Sequence, residues 1–128
     1  VAAIGVDIVE IERVESAIKQ GGERFLNRVY TETELRACQS RPSSLASRFA
    51  GKEAVMKVLG IGGIDIAWRE IEILTGDDGR PSVKLHGQAL NKAAELNLKE
   101  VSVSLSDSKE YAIAVAIGTW SPSLQLSF

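Results

Sequence analysis

Residues 48–57 read RFAGKEAVMK, and no other stretch constrains the fold as tightly. Wound as a helix at about 100° per residue, Leu45, Phe49, Met56 and Leu59 line one side. Ala50, Ala54 and Val58 cover much of the other, and Val55 falls between Arg48 and Leu59. A helix on a protein surface keeps its charges on one solvated face. Here Arg48, Lys52, Glu53 and Lys57 sit instead in gaps within an apolar surface. Such a helix must be enclosed by the rest of the chain. Each of its charges must then be paired, or must meet a charged group that is not protein. With 128 residues the chain is one domain's worth, long enough to bury a core around this helix.

The flanking segments supply the enclosure. AAIGVDIVEI (2–11) is rich in β-branched residues and reads as a buried strand. Ile11, Val14 and Ile18 give residues 10–20 a helical stripe, which QGG (20–22) stops before a short helix around residues 24–29. Thr31 with Glu34 three residues on is a capping box opening another short helix to Cys38. SRPSS (40–44) turns the chain into the long helix, which ends at Gly60. GIGG (60–63) is too short and displaced for a dinucleotide phosphate loop and reads as the helix exit. REIEIL (69–74) and SVKLH (82–86) form a hairpin about Asp78-Gly79, GQALNKAAELN (87–97) a helix, and EVSVSLS (100–106) with YAIAVAIGTW (111–120) a second hairpin. The order predicts an α+β fold with an antiparallel sheet packed on a long central helix and several shorter ones. Residues 1–120 make a single domain and 121–128 a C-terminal tail.

Composition removes several classes of function. A hydrophobic fraction of 45% and a charged fraction of 25% belong to an ordinary soluble globular protein, and no apolar run is long enough to span a bilayer. The start of the chain lacks the regions of a signal peptide, and a single cysteine, Cys38, fits a reducing compartment; a cytoplasmic protein is expected. One Cys and one His, His86, cannot build a zinc cluster. A net charge of −2 argues against nucleic acid as a partner, so any basic surface is local.

Asp7 lies inside IGVDIV, a carboxylate at the end of a rigid strand, where it can cap the following helix or await a cation. Glu53 and Lys57 stand i, i+4 in the favourable order, and Arg48 and Lys52 form a second i, i+4 couple of like sign that repels unless an anion lies between them. Two carboxylates and three bases on one helix and one strand end fit a site for Mg²⁺ and phosphates, since Mg²⁺ takes hard oxygen ligands and leaves positions for water and substrate. Ser102, Ser104 and Ser106 form a row of hydroxyls that reads as the solvent side of a half-buried strand. Lys109 is a further residue able to reach a phosphate.

Four segments together carry a resemblance: IGVDIVEIERV, RFAGKEAVMKVLG, GRP and VSLSDSKEYAIAVA. In register over almost the whole chain, they resemble the small, single-domain holo-[acyl-carrier-protein] synthase type of 4'-phosphopantetheinyl transferase. G-x-D with F-x-x-K-E-x-x-x-K at this separation is the specific part. The resemblance implies transfer of 4'-phosphopantetheine from coenzyme A to a serine of apo acyl carrier protein, as in fatty acid biosynthesis, releasing adenosine 3',5'-bisphosphate. It implies Asp7 and Glu53 as Mg²⁺ ligands. Arg48, Lys52 and Lys57 fall on basic positions for coenzyme A, and Asp7, Glu53 and Lys57 carry the catalysis. The base that deprotonates the serine stays open between Glu53, Asp7 and a metal-held water. Asp107, a His in some relatives, would repel phosphate and is expected to serve a turn.

The same resemblance implies an acidic, helical carrier met by Arg13, Arg24 and Arg28, with Phe25 as an apolar contact. It also implies a homotrimer whose active sites are shared between subunits. Two alternatives remain: the same chemistry on a carrier domain of a polyketide or peptide synthase, or a carrier-docking module without catalysis. Intact Asp7, Glu53 and Lys57 speak against the second.

Overall fold

The computed structural model describes residues 2–60 and 66–120, so positions 61–63 of the GIGG segment and the expected tail lie outside the described residues. Strand β1 (Ala2–Glu10) leads into α1 (Ile11–Val29), α2 (Glu32–Cys38) and the long helix α3 (Pro42–Leu59). A short 3-10 turn (Trp68–Glu70) precedes the hairpin β2 (Ile71–Thr75) and β3 (Pro81–Leu85), then α4 (Gly87–Glu95), β4 (Glu100–Asp107) and β5 (Tyr111–Thr119). The order is the expected one. All ladders are antiparallel: β1-β5-β4 form one sheet, with Asp7 opposite Ala114 and Leu105 opposite the same alanine, while β2 and β3 form a separate pair. No helix of the described residues is long and apolar enough to cross a membrane.

Local chemistry explains the boundaries. Gly22 adopts φ 55° inside α1, a left-handed value that favours glycine, so the helix bends into two pieces where QGG predicts a stop. The capping box of α2 is complete, with Thr31 Oγ1 accepting from the Glu34 amide and Glu34 Oε1 accepting from the Thr31 amide. Gly60 ends α3 in the left-handed conformation.

The long helix is enclosed, as its all-round apolar pattern requires. Leu45, Ala46, Ala50, Ala54, Val55, Met56, Val58 and Leu59 are all buried. The three-stranded sheet lies along one side, and α1, α2 and the β2–β3 hairpin cover the others. The contact with the sheet is very close because both surfaces are made of small residues. Ala112, Ala114, Ala116 and Gly118 line the inner face of β5. On β1, a Cβ added to Gly5 would stand 2.1 Å from the carbonyl oxygen of Ala54, so only glycine permits this approach.

Strand β1 departs from the expectation of full burial. Ile4, Val6 and Ile8, with Ile113, Val115 and Ile117 on β5, point away from α3 and are between 38% and 69% exposed. Register places Ser102, Ser104 and Ser106 beside the β5 residues on this outer face. The sheet is thus buried by α3 on one face and presents an apolar stripe on the other.

Lys52 departs from expectation more sharply. Placed at the coenzyme A site by the resemblance, it is instead wholly buried and paired with the equally buried Glu34 at 2.7 Å. Its ammonium also donates to the carbonyls of Ile71 at 2.6 Å and Trp68 at 3.2 Å, which uses all three of its protons. Glu34 Oε2 accepts from the Ile73 amide at 2.8 Å. Burial pushes the Lys52 pKa below the ordinary lysine value, against the pull of Glu34. No donor remains for a phosphate, so Lys52 leaves the set of coenzyme A residues. Lys52→Met would strand the Glu34 carboxylate in the core, and urea unfolding should show a loss of about 3–5 kcal/mol. A loss below about 1 kcal/mol, the scale of an exposed pair, would mean that water reaches this pair.

Candidate functional site

Asp7 sits on the inner face of β1, two residues beyond Gly5, and its carboxylate turns toward α3. Glu53 projects from α3 into the same space, next to the close approach of α3 and β1 at Gly5. The two carboxylates share a cavity of about 290 Å³ with Arg13, Val14, Phe25 and Phe49. Burial raises the pKa of Glu53 first, the Asp7 charge raises it further, and Lys57 pulls it down. Two carboxylates are therefore close enough to feel each other.

Lys57 reaches across to β1 rather than back along α3. Its Nζ donates to the Val6 carbonyl at 2.8 Å and lies 3.5 Å from Asp7 Oδ1. The expected trio of Asp7, Glu53 and Lys57 is thus brought together. The donor set fits a hard divalent cation: two carboxylates converge with a backbone carbonyl nearby. Among the described residues no third Asp, Glu, His or Cys side chain makes a metal-binding group with this pair.

Arg48 goes elsewhere. It lies about 140° around α3 from Glu53, and lines a second cleft of about 220 Å³ with Ser44, Ser47, Thr75, Gly79, Pro81, Ser106 and Asp107. Its Nη2 donates to Thr75 Oγ1, and its Nε is buried without a hydrogen-bond partner. A cation with an unused buried donor, in a cleft rimmed by hydroxyls and the GRP turn, is suited to an anion. Asp107 stands on its rim at the end of β4, so it belongs to this cleft's surroundings and not only to a turn. The expected single wall of bases along α3 is therefore three separate placements: Lys52 in the core, Lys57 at Asp7, and Arg48 on the far side.

Arg13 and Phe25 line the Asp7–Glu53 cavity from the two halves of α1, whereas Arg24 and Arg28 are exposed on its second half. Phe49, in the cavity wall, stacks on Trp68 with ring centroids 4.8 Å apart. Sequence reasoning missed Glu34 as the partner of Lys52. Its signal was present, since Glu34 stands one turn before Cys38 on the face that α2 buries. Thr75, the partner of Arg48, carried no such signal. Beyond Glu34, Thr31 donates to Glu72 Oε2 at 2.7 Å and Glu72 Oε1 meets His86 Nε2 at 3.0 Å. Burial alone would raise the Glu72 pKa, but these two hydrogen bonds, together with the charges of His86 and Lys84, outweigh it and lower it. His86 is thereby occupied in a structural pair.

A profile of the 4'-phosphopantetheinyl transferase superfamily matches residues 3–116. The holo-[acyl-carrier-protein] synthase of Dehalococcoides mccartyi strain 195 is 51% identical over 113 residues, 88% of this chain and 94% of that protein. That of Moorella thermoacetica is 49% identical over 116 residues, 88% of this chain and 90% of its own. Among solved structures, Helicobacter pylori holo-[acyl-carrier-protein] synthase in complex with coenzyme A is similar with a TM-score of 0.83 and 33% identity, over 91% of this chain and 99% of that one. The Chronobacterium ammoniagenes ACPS–CoA complex is similar with a TM-score of 0.83 and 28% identity, over 94% and 98%.

Proposed function

The chain belongs to the 4'-phosphopantetheinyl transferase superfamily, and from that premise we propose that it moves 4'-phosphopantetheine from coenzyme A to a serine of apo acyl carrier protein. The observation that supports this is the meeting of Asp7 and Glu53 at one cavity, with Lys57 held against Asp7 from outside its lining, on a strand and a helix far apart in sequence. Coenzyme A is the donor, adenosine 3',5'-bisphosphate the leaving group, and the carrier of fatty acid synthesis the acceptor.

The carrier serine attacks the phosphorus that bears the pantetheine arm, and the bond to the bridging oxygen of the pyrophosphate breaks. Repulsion between phosphate oxyanions and the incoming oxygen dominates such a barrier, so the protein contributes position and neutralising charge. Mg²⁺, when bound, supplies Lewis-acid neutralisation of the pyrophosphate. Asp7 and Glu53 would hold it, in the cavity that Phe49 and Val14 also line. Lys57 stands beside Asp7 Oδ1 and offers its charge to the leaving bisphosphate. Arg48 holds a phosphate of the nucleotide away from the reacting bond. The serine proton goes to Glu53, to Asp7 or to water.

Separation of the Arg48 cleft from the Asp7–Glu53 cavity supports a shared site. Asp7 lies on one edge strand of the sheet and Asp107 on the other. A head-to-tail contact through the apolar outer face would set the β1 edge of one subunit beside the β4 edge of the next, and a threefold repeat closes the ring. The stripe of Ile4, Val6, Ile8, Ile113, Val115 and Ile117 is the kind of surface that such contacts bury. Arg13 and Phe25 at the cavity, with Arg24 and Arg28 on the same helix, form the dock for an acidic carrier.

Five measurements test these statements. Mass spectrometry of an apo carrier incubated with the protein, coenzyme A and Mg²⁺ should show addition of the phosphopantetheine arm. Asp7→Asn and Glu53→Gln should each slow that addition by at least about a hundredfold while circular dichroism stays unchanged. Near-normal rates in both variants with EDTA present would exclude the metal pair. A panel that adds polyketide and peptide synthase carriers reads the acceptor class. Reversing Arg24 and Arg28 to Glu should raise the KM for carrier about tenfold and weaken its salt dependence, leaving the KM for coenzyme A within about twofold. An equal rise in both constants would place these arginines at the nucleotide. In sedimentation equilibrium the protein should behave as a trimer and Val115→Glu as a monomer; a monomeric parent chain would sink the shared site.

A further inference from the structure

Lys57 is fastened to the very carboxylate that the proposed metal needs. Its ammonium takes the Val6 carbonyl at 2.8 Å and approaches Asp7 Oδ1 to 3.5 Å, two contacts from adjacent residues of β1. Nothing forces it there by burial, since its side chain is 55% exposed and that of Asp7 only 20%. The path is opened by Gly5: a Cβ at that position would stand 3.0 Å from Lys57 Cβ, so bare backbone lets the lysine stem lie down along the strand. Glu53, one turn earlier on α3, feels the same ammonium as a charge that opposes its raised pKa.

A divalent ion on Asp7 would sit about 2.1 Å from the oxygen it binds. An ammonium 3.5 Å from that oxygen would face it at a few ångströms, where like charges repel by several times the thermal energy unless bulk water lies between them. The two cations therefore weaken each other's hold on Asp7. Coenzyme A changes the balance, because its pyrophosphate offers Lys57 an anion of higher charge than a shared carboxylate.

Resting on the transfer reading above, we infer that Lys57 is the built-in cation of this site, competing with the divalent metal for Asp7 until the pyrophosphate draws it away. Metal and coenzyme A then bind with mutual reinforcement. Without substrate the site holds the metal weakly, so the carboxylate pair does not lock onto whatever divalent ion is abundant. With substrate, Lys57 changes from a competitor to a contact on the phosphate oxygens. The same side chain thus sets the coupling between the two ligands as well as touching the reacting group.

Mn²⁺ serves as the probe, as a hard, oxygen-preferring ion, titrated by calorimetry into the full-length protein at fixed ionic strength. Without coenzyme A, Lys57→Met should bind Mn²⁺ roughly five- to tenfold more tightly than the parent chain. With coenzyme A saturating, and after correction for its own Mn²⁺ binding, the order should reverse, the variant binding more weakly. Lys57→Arg, which keeps the charge, should stay within about twofold of the parent under both conditions, and so should Arg13→Gln, which removes a charge from the cavity lining while leaving the Lys57–Asp7 contact in place. Equal affinities of the parent and Lys57→Met without coenzyme A would overturn the inference. Tightening by the same factor with and without it would overturn it too, since net charge alone would then account for the effect. Asp7→Asn separates the two levels: if that variant bound Mn²⁺ as tightly as the parent, the metal pair itself would be lost along with everything built on it.

Discussion

A buried lysine and a buried glutamate fix this molecule. Lys52 and Glu34 meet at 2.7 Å with no solvent contact, and between them they tie α3 to the start of α2, to the 3-10 turn and to β2. An ion pair in that position adds little net stability over a well-packed apolar pair, because desolvation offsets the attraction. What it adds is direction. Leucine or methionine in place of Lys52 could rotate α3 by several degrees and still be buried, whereas an ammonium with three fixed acceptors cannot. The adjacent residue is Glu53, so the rotation that Lys52 enforces also sets where that carboxylate points.

The second constraint acts through missing atoms. Ala112, Ala114 and Ala116 on β5 and Gly5 on β1 give α3 a shallow bed, and Gly51, beside Leu105 of β4, admits Ile73. A helix lying that low over a sheet brings a strand residue and a helix residue within reach of one ion, although 46 positions separate Asp7 from Glu53 in the chain. Short side chains such as these could not otherwise converge. The cavity wall is completed by Phe49 stacked on Trp68 and by Phe25 from beyond the Gly22 bend, so all the helices before the hairpin except α2 contribute to it directly.

Most of the fold was legible because its signals are local. Gly22, Thr31 with Glu34, Gly60 and Asp78-Gly79 act on their own few residues, and each does what its chemistry predicts. The apolar strands were located correctly, but which face of β1 would be covered depends on what stands next to it, and its alternation was too weak to say. The charges on α3 show the limit most clearly. Their enclosure could be read from helical geometry, and so could the need for partners. Which partner each would take could not, because Lys52 finds Glu34 across 18 residues, Lys57 finds Asp7 across 50 and Arg48 finds Thr75 across 27. The resemblance assigned all three bases to one ligand; packing divides them among three surroundings.

The alanine and glycine bed beneath α3 has a bearing on how this protein could be engineered. Consensus and cavity-filling redesign stabilise many domains by replacing small core residues with larger ones. Here the small residues are the spacer that sets the gap between two carboxylates, and each methyl group added to the bed would lift the helix and widen that gap. Thermostability sought by filling this core would therefore be gained against activity. The tolerant positions lie instead in α4 and on the solvent side of α2, whose exposed residues can be exchanged without altering the height of α3 above the sheet.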